Sequence, residues 1–183
     1  MLDRIDAFFR PSVPKERLAA LGIIVGTFSF VYLAARTPGM AGLGSAGFRP
    51  VGVVQILSAP LPTAWVVGLS VLATLLAIPF TLGFAYRVTA PLFGLSFLWV
   101  TSYRNSFGFI FHTENLAVVH AMVLSVSAAA DAWSFDARRP GSLPIESSAS
   151  PGYGWPIKLL SIVTTLSYMV AGLTKLRVSG FGW

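Results

Sequence analysis

Cysteine is absent from this chain, which removes a thiol nucleophile, disulfide bonds and thiolate ligation of iron–sulfur clusters. Histidine is nearly as scarce. Two histidines and seven carboxylates offer too few ligands for a protein-only zinc site, so no metal is expected. Charge of either sign is sparse as well, at 11% of the 183 residues, whereas a soluble domain carries about a quarter. A surface so poor in charge suits lipid and not water. The charge present leans basic, a formal +6 with pI near 10.2. Its cations fall between apolar blocks and not in a polar, aromatic-interleaved segment. Anionic headgroups are therefore the expected contact, and nucleic acid is not an expected partner.

Apolar runs are abundant: 55% of residues are hydrophobic and the mean hydropathy is +0.73. The opening "MLDRIDAFFRPSVPKER" (1–17) is charged and carries Phe8 and Phe9, the pattern of a segment lying on a membrane surface. A first span is expected over Leu18–Ala35, uncharged between Arg17 and Arg36. The Gly/Pro-rich stretch that follows is no span, although "VGVVQIL" within it suits an interfacial or re-entrant piece. Further spans are expected over Thr63–Tyr86 with a kink at Pro79, Thr89–Phe107, Glu114–Trp133 and Trp155–Lys175. The first apolar block precedes four more and reads as a membrane span, not as a cleaved signal peptide. The expected fold is thus an all-α, polytopic transmembrane bundle of about five helices, one domain over 1–183.

With the N-terminus cytoplasmic, inner segments hold Arg4, Arg10, Lys15, Arg17, Arg87, Arg138, Arg139 and Lys158. Outer segments hold Arg36, Arg49, Arg104, Lys175 and Arg177. Eight against five favours a multi-pass cell-membrane protein with that orientation. Arg104, Asn105, His112, Glu114, Asn115 and Lys175 then gather at the outer side. Thr113 and Glu114 are equally explained as a helix start, but the company of Arg104, Asn105 and Asn115 is not.

Lys175 has two readings. It is a helix-end lysine whose ammonium reaches headgroups, or it faces the bundle on a stripe formed with Ser161, Thr164, Tyr168 and Gly172. On the second reading desolvation favours its neutral amine, a usable base. His120 reads as a hydrogen bond between helices, and Asp131 as one of a charge set with Arg138 or Arg139. Trp65, Trp99, Trp133 and Trp155 sit near span ends, as in an aromatic belt.

Two segments, "HTENLAVVHAMVLSVSAAADAWSFD" and "SYMVAGLTKLRVSGFGW", resemble the HTTM domain, the membrane domain of the vitamin K-dependent γ-carboxylase family and its bacterial relatives. The matching features are the His/Asn/Leu helix start and the Trp-Ser-x-Asp core of "DAWSFD". Tyr-x-x-Ala-Gly-x-x-Lys-Leu and a later Trp complete them. "RLAALGIIVGTFSFVYLAAR" is similar to the family's first helix. The specific part covers about 70 residues, with the general layout extending over most of the chain.

The resemblance implies reduced vitamin K or another quinol as cofactor. It implies Lys175 as the base that deprotonates it, which starts an oxygenation yielding a strongly basic alkoxide, and His112 in the active centre. The family's own activity is that of a carboxylase, a lyase, but for this chain the resemblance reaches as far as quinone-type chemistry or peptide modification at an outward pocket, with a peptide or quinone as substrate. Arg104, Asn105, Glu114 and Asn115 from the polar cluster, with Tyr168 from the Lys175 stripe, are the expected substrate contacts. The family's domain continues with further helices where this chain stops at Trp183, so a copy incomplete at its C-terminus, or a shortened relative, is expected.

A second class of function stands beside the enzyme. In it the chain is a non-catalytic membrane component, acting in peptide maturation or as a subunit whose small-residue stripe packs on partner helices. A transporter fits less well, since five spans give no even inverted repeat.

Overall fold

The computed structural model of the chain describes residues 2–44, 47–108, 112–139 and 149–180, the side chains of residues 2, 3, 112, 113 and 179 excepted. Among the described residues six α-helices follow in order: α1 (Leu2–Phe9), α2 (Lys15–Met40), α3 (Thr63–Leu82), α4 (Tyr86–Asn105), α5 (His112–Ser125) and α6 (Pro151–Ser179). Short 3-10 turns lie at Gly52–Ile56 and Asp136–Arg138. Among the described residues the only β contact is a bridge between Val13 and Ser150.

Among the described residues three helices have the length and hydropathy to cross a membrane unaided: Lys15–Met40, Thr63–Leu82 and Pro151–Val178. The protein is therefore an all-helical membrane protein, as its composition implies. α4 has a span's length, 20 residues, but carries Arg87, Thr101, Arg104 and Asn105, and it packs between α3 and α5.

The expected fourth span, Glu114–Trp133, is corrected. Its helix ends at Ser125 after 14 residues. Ser125 and Ser127 there donate to the carbonyls of Met122 and Leu124, both 2.8 Å, in place of continued helix pairing. "VGVVQIL" is not re-entrant: it forms one 3-10 turn, with Val54 buried and Ile56 exposed, packed on α4.

α2, α3, α4 and α5 run alternately up and down. Thr37 near the end of α2 meets Ser70 at 2.9 Å near the start of α3. Tyr32 of α2 meets Arg104 of α4, and Tyr86 at the start of α4 donates to the Leu124 carbonyl near the end of α5 at 3.0 Å. Leu18, Leu33, Phe80, Phe93, Phe97, Tyr103 and Leu124 form the core between them. In lipid, burial alone does not hold helices together, so close approach and polar contacts matter more. Gly26 supplies the closest approach: a Cβ there would lie 2.3 Å from Thr81 Oγ1 and 3.1 Å from Thr81 Cα.

α6 begins beside the start of α2. Ser150 caps its first turn by accepting from the Gly152 N–H at 3.1 Å, and Lys158 lies over the Phe8 ring of α1 at 3.7 Å. Gly154, Pro156 and Leu160 are buried, whereas nearly every residue from 165 onward is exposed. α1 presents Ile5, Phe8 and Phe9 outward, each about half exposed.

Candidate functional site

The two ends of this bundle differ in how their polar groups are matched. At one end, where α2 and α6 begin, the "DAWSFD" segment forms a clasp. Asp136 accepts from the backbone N–H groups of Ala85 (3.1 Å) and Tyr86 (2.7 Å) and so caps α4 with a carboxylate. Phe135 and Asp136 donate their own N–H groups to the carbonyls of Leu82 and Gly83, both 3.0 Å. Ser134 donates to the Ala130 carbonyl and accepts from Ala137 N–H at 2.9 Å.

The turn is tight enough to need Gly83 at φ +61°, where a Cβ would stand 2.4 Å from Ser134 Cβ. Ala85 and Trp133 also adopt positive φ, 47° and 52°. The space left here amounts to about 10 Å³, room for one water. The residues that carry much of the family resemblance thus close the fold and hold no ligand-sized cavity.

Two expectations are corrected at this end. Asp131 pairs with the Tyr153 hydroxyl at 2.9 Å and not with Arg138 or Arg139, while Asp136 takes Arg139 at 3.5 Å. His120 does not bridge helices, since its Nδ1 meets the Leu116 carbonyl of its own helix at 2.7 Å.

The other end holds most of the sequence-selected residues. Arg104, in the last turn of α4, forms an ion pair with Glu114 in the first turn of α5. The same guanidinium nitrogen, Nη1, donates to Tyr32 Oη at 2.5 Å. The Glu114 side chain is 3% exposed and that of Arg104 20%. Taking two charges this far from water is costly unless both are fully bonded. Here they are not, because Glu114 Oε2 is buried with no hydrogen-bond partner.

Asn105 repeats the pattern. Its Nδ2 donates to Asn115 Oδ1 at 3.4 Å, and its own Oδ1 is buried and unpartnered. Ser29 Oγ, about a turn below Tyr32 on α2, is the third such atom. Arg36 lies over the Tyr32 ring at 5.8 Å and adds a second cation.

Beside Asn105 lies a hollow of about 330 Å³, lined by Gly47, Arg49, Val51, Asn105, Ser106 and Gly108. Ser106 fixes its wall. The Ser106 carbonyl accepts from Arg49 N–H at 2.7 Å, and its hydroxyl accepts from Val51 N–H at 3.1 Å. Behind it Phe48, Tyr103 and Phe107 pack ring to ring at 5.2–5.7 Å.

The structure therefore brings together Arg104, Asn105, Glu114 and Asn115. The side chain of His112 lies outside the described residues. Tyr168 and Lys175 are apart on the second half of α6, both exposed, Tyr168 at 71%. The stripe of Ser161, Thr164, Tyr168 and Gly172 does not turn into this chain's own bundle: Thr164 is half-buried, and nothing lies within 4 Å of a Cβ placed on Gly172. The physical reason is that α6 touches α1, α2 and α5 through its buried first turns and then runs clear of them.

Tyr32, Arg49 and Ser106 were not singled out by the sequence. A tyrosine four residues before Arg36 in an apolar span was the one available sign of the first.

These features define a helical membrane protein with one closed end and one polar, incompletely matched end. Residues 50–180 match the family model of the HTTM domain, and the chain belongs to that family. The match begins after α2, so the stretch similar to the family's first helix lies outside it. No curated protein and no solved structure matches the chain.

Proposed function

We propose that this HTTM protein binds a quinol-type ligand at the Arg104–Glu114 end, with Lys175 as the general base, in a cell membrane with the N-terminus cytoplasmic. The observation that carries the reading is the buried Glu114 carboxylate, paired with Arg104 and neighboured by the Tyr32 hydroxyl, whose Oε2 has no well-formed hydrogen bond from the described residues. A ligand hydroxyl matches that need, since an unmatched buried acceptor costs about 1–3 kcal/mol. When bound, a reduced quinone supplies the reducing equivalents for reaction with dioxygen.

In this reading the chain's residues have separate tasks. Glu114 and Asn115 orient the ligand, Arg104 is held by Glu114 and Tyr32 to face developing negative charge, and Lys175 takes the hydroxyl proton. α6 begins at the clasp end, so as a span it delivers Lys175 to the polar end. Its exposed face must then be covered by a further helix for the amine to be desolvated.

That same exposure favours a second reading. A helix with a bare stripe of small and polar residues suits a non-catalytic subunit that packs on a membrane partner, for instance in peptide maturation. Lys175→Ala and Lys175→Arg separate the two in membranes supplied with reduced naphthoquinone. The base reading expects quinol oxidation to fall at least about tenfold in Lys175→Ala while quinol binding persists. Unchanged oxidation in both variants removes it.

A further inference from the structure

We infer that the hollow beside Asn105 is a binding site for a phospholipid headgroup that combines a phosphodiester with an N–H or O–H donor. The inference does not rest on the quinol reading, because none of its contacts involves Lys175 or Glu114.

The hollow asks for two groups at once. Arg49 is exposed at its rim, and its guanidinium makes no ion pair or hydrogen bond with any described residue. Its backbone is fixed at the rim through the 2.7 Å bond to the Ser106 carbonyl, so the side chain starts from an anchored point beside the hollow. A guanidinium on a fixed backbone suits a phosphate, which it meets through parallel N–H bonds. Asn105 is 6% exposed and lines the same hollow, and its Oδ1 has no donor. Ser106 cannot provide one, because its hydroxyl donates to the Ser102 carbonyl at 2.8 Å. The occupant must bring an anion for Arg49 and a donor for Asn105.

Size and setting name the source. A volume of about 330 Å³ takes a headgroup and excludes two acyl chains, which stay in the bilayer. The hollow lies where α4 ends, near Trp99 stacked on Tyr103 at 5.2 Å and close to the start of α3 with its exposed Trp65. Aromatic residues of this kind mark the headgroup level. The local charge agrees, because Glu114 is the one carboxylate described here and Arg104 engages it, leaving Arg36 and Arg49 in excess.

Phosphatidylethanolamine and phosphatidylcholine test the pairing. They share phosphate and net charge, but only the first has N–H donors. The chain purified in detergent is offered both lipids with identical acyl chains, and adducts are counted by native mass spectrometry. The ethanolamine lipid is expected to be retained at least about fivefold over the choline lipid. Arg49→Ala is expected to lower both adducts, and Arg49→Lys to keep most of them. Equal retention of the two lipids, or adducts unchanged in Arg49→Ala, overturns the assignment. Glycerol 3-phosphate is added as competitor. If it displaces the lipid fully, the site belongs to soluble phosphate esters and the lipid assignment fails. Lipid adducts that persist support it.

Discussion

Replacing Asp136 with alanine tests whether the "DAWSFD" segment is a clasp. The carboxylate accepts the Ala85 and Tyr86 N–H groups at 3.1 and 2.7 Å, and Arg139 approaches it at 3.5 Å. Hydrogen bonds to a charged group contribute about 1.5–3 kcal/mol each. The surface pair with Arg139 adds little, because both side chains are partly exposed. Water can replace part of the capping, since the Asp136 side chain is 26% exposed, so the net loss is expected near 3 kcal/mol and not at the sum of both bonds. For a chain of this length about 1 kcal/mol moves the unfolding midpoint by about 2–4 °C, so Asp136→Ala should lower it by about 6–12 °C.

Tryptophan fluorescence of the detergent-solubilised chain reads the midpoint. Asp136→Asn keeps one acceptor oxygen and should lose about half as much. Asp131→Asn changes a neighbouring acid that accepts from the exposed Tyr153 hydroxyl, and should stay within about 0.5 kcal/mol of the parent. An Asp136→Ala midpoint within about 1 °C of the parent would refute the clasp.

Two further outcomes are expected. Gly26→Ala places a methyl 3.1 Å from Thr81 Cα, where backbone must give, and should cost about 1–3 kcal/mol in thermal unfolding. Combining it with Thr81→Ala removes the 2.3 Å contact to Oγ1 and should recover part of the loss. At Gly172 a Cβ meets nothing within 4 Å, so Gly172→Leu enters open space and should leave the midpoint of the isolated chain within about 0.5 kcal/mol. In membranes the same change should lower crosslinking of α6 to any partner helix, and unchanged crosslinking argues against packing through this face.

The long apolar runs were legible because lipid imposes a composition on whatever it touches. Leu18–Ala35 marked α2 well, yet the helix extends to Lys15 and Met40. Hydropathy locates the part of a helix that lipid surrounds. Lys15, Glu16 and Arg17 continue the helix readily before it, whereas the extension through Pro38 and Gly39 runs against local propensity and is held by contacts such as Thr37 with Ser70. The end of α5 was not legible. "VSAAADAW" contains neither Gly nor Pro, and what turns the chain there is pairing with the α3–α4 corner, more than forty residues earlier.

Arg104 and Glu114 could be suspected from sequence because they stand ten residues apart, as opposite charges in so apolar a chain. Their partner Tyr32 lies 72 residues from Arg104, and only the rotation of α2 against α4 decides that they meet. Asp136 stood out in sequence only as the acid of the Trp-Ser-x-Asp core, since a capping carboxylate is recognisable as such only once the helix it caps has been placed. Lys175 shows the limit of periodicity. Its spacing fixed which residues share its face, but not whether that face has a neighbour within the chain.

The contrast between the two ends bears on where a ligand acts. At the clasp end both Asp136 oxygens, Ser134 Oγ and the Asp131–Tyr153 pair are engaged. Towards the polar end Asn105 Oδ1, Glu114 Oε2 and Ser29 Oγ are buried without partners. Each such atom costs about 1–3 kcal/mol, and the cost rises where lipid replaces water. Three of them together approach the whole stability of an ordinary domain, about 5–15 kcal/mol. A fold that carries this cost at one end is relieved by whatever brings donors there. Binding at the polar end must therefore stabilise the chain, while at the clasp the buried acceptors of Asp136 and Ser134 are already engaged by the chain's own N–H groups.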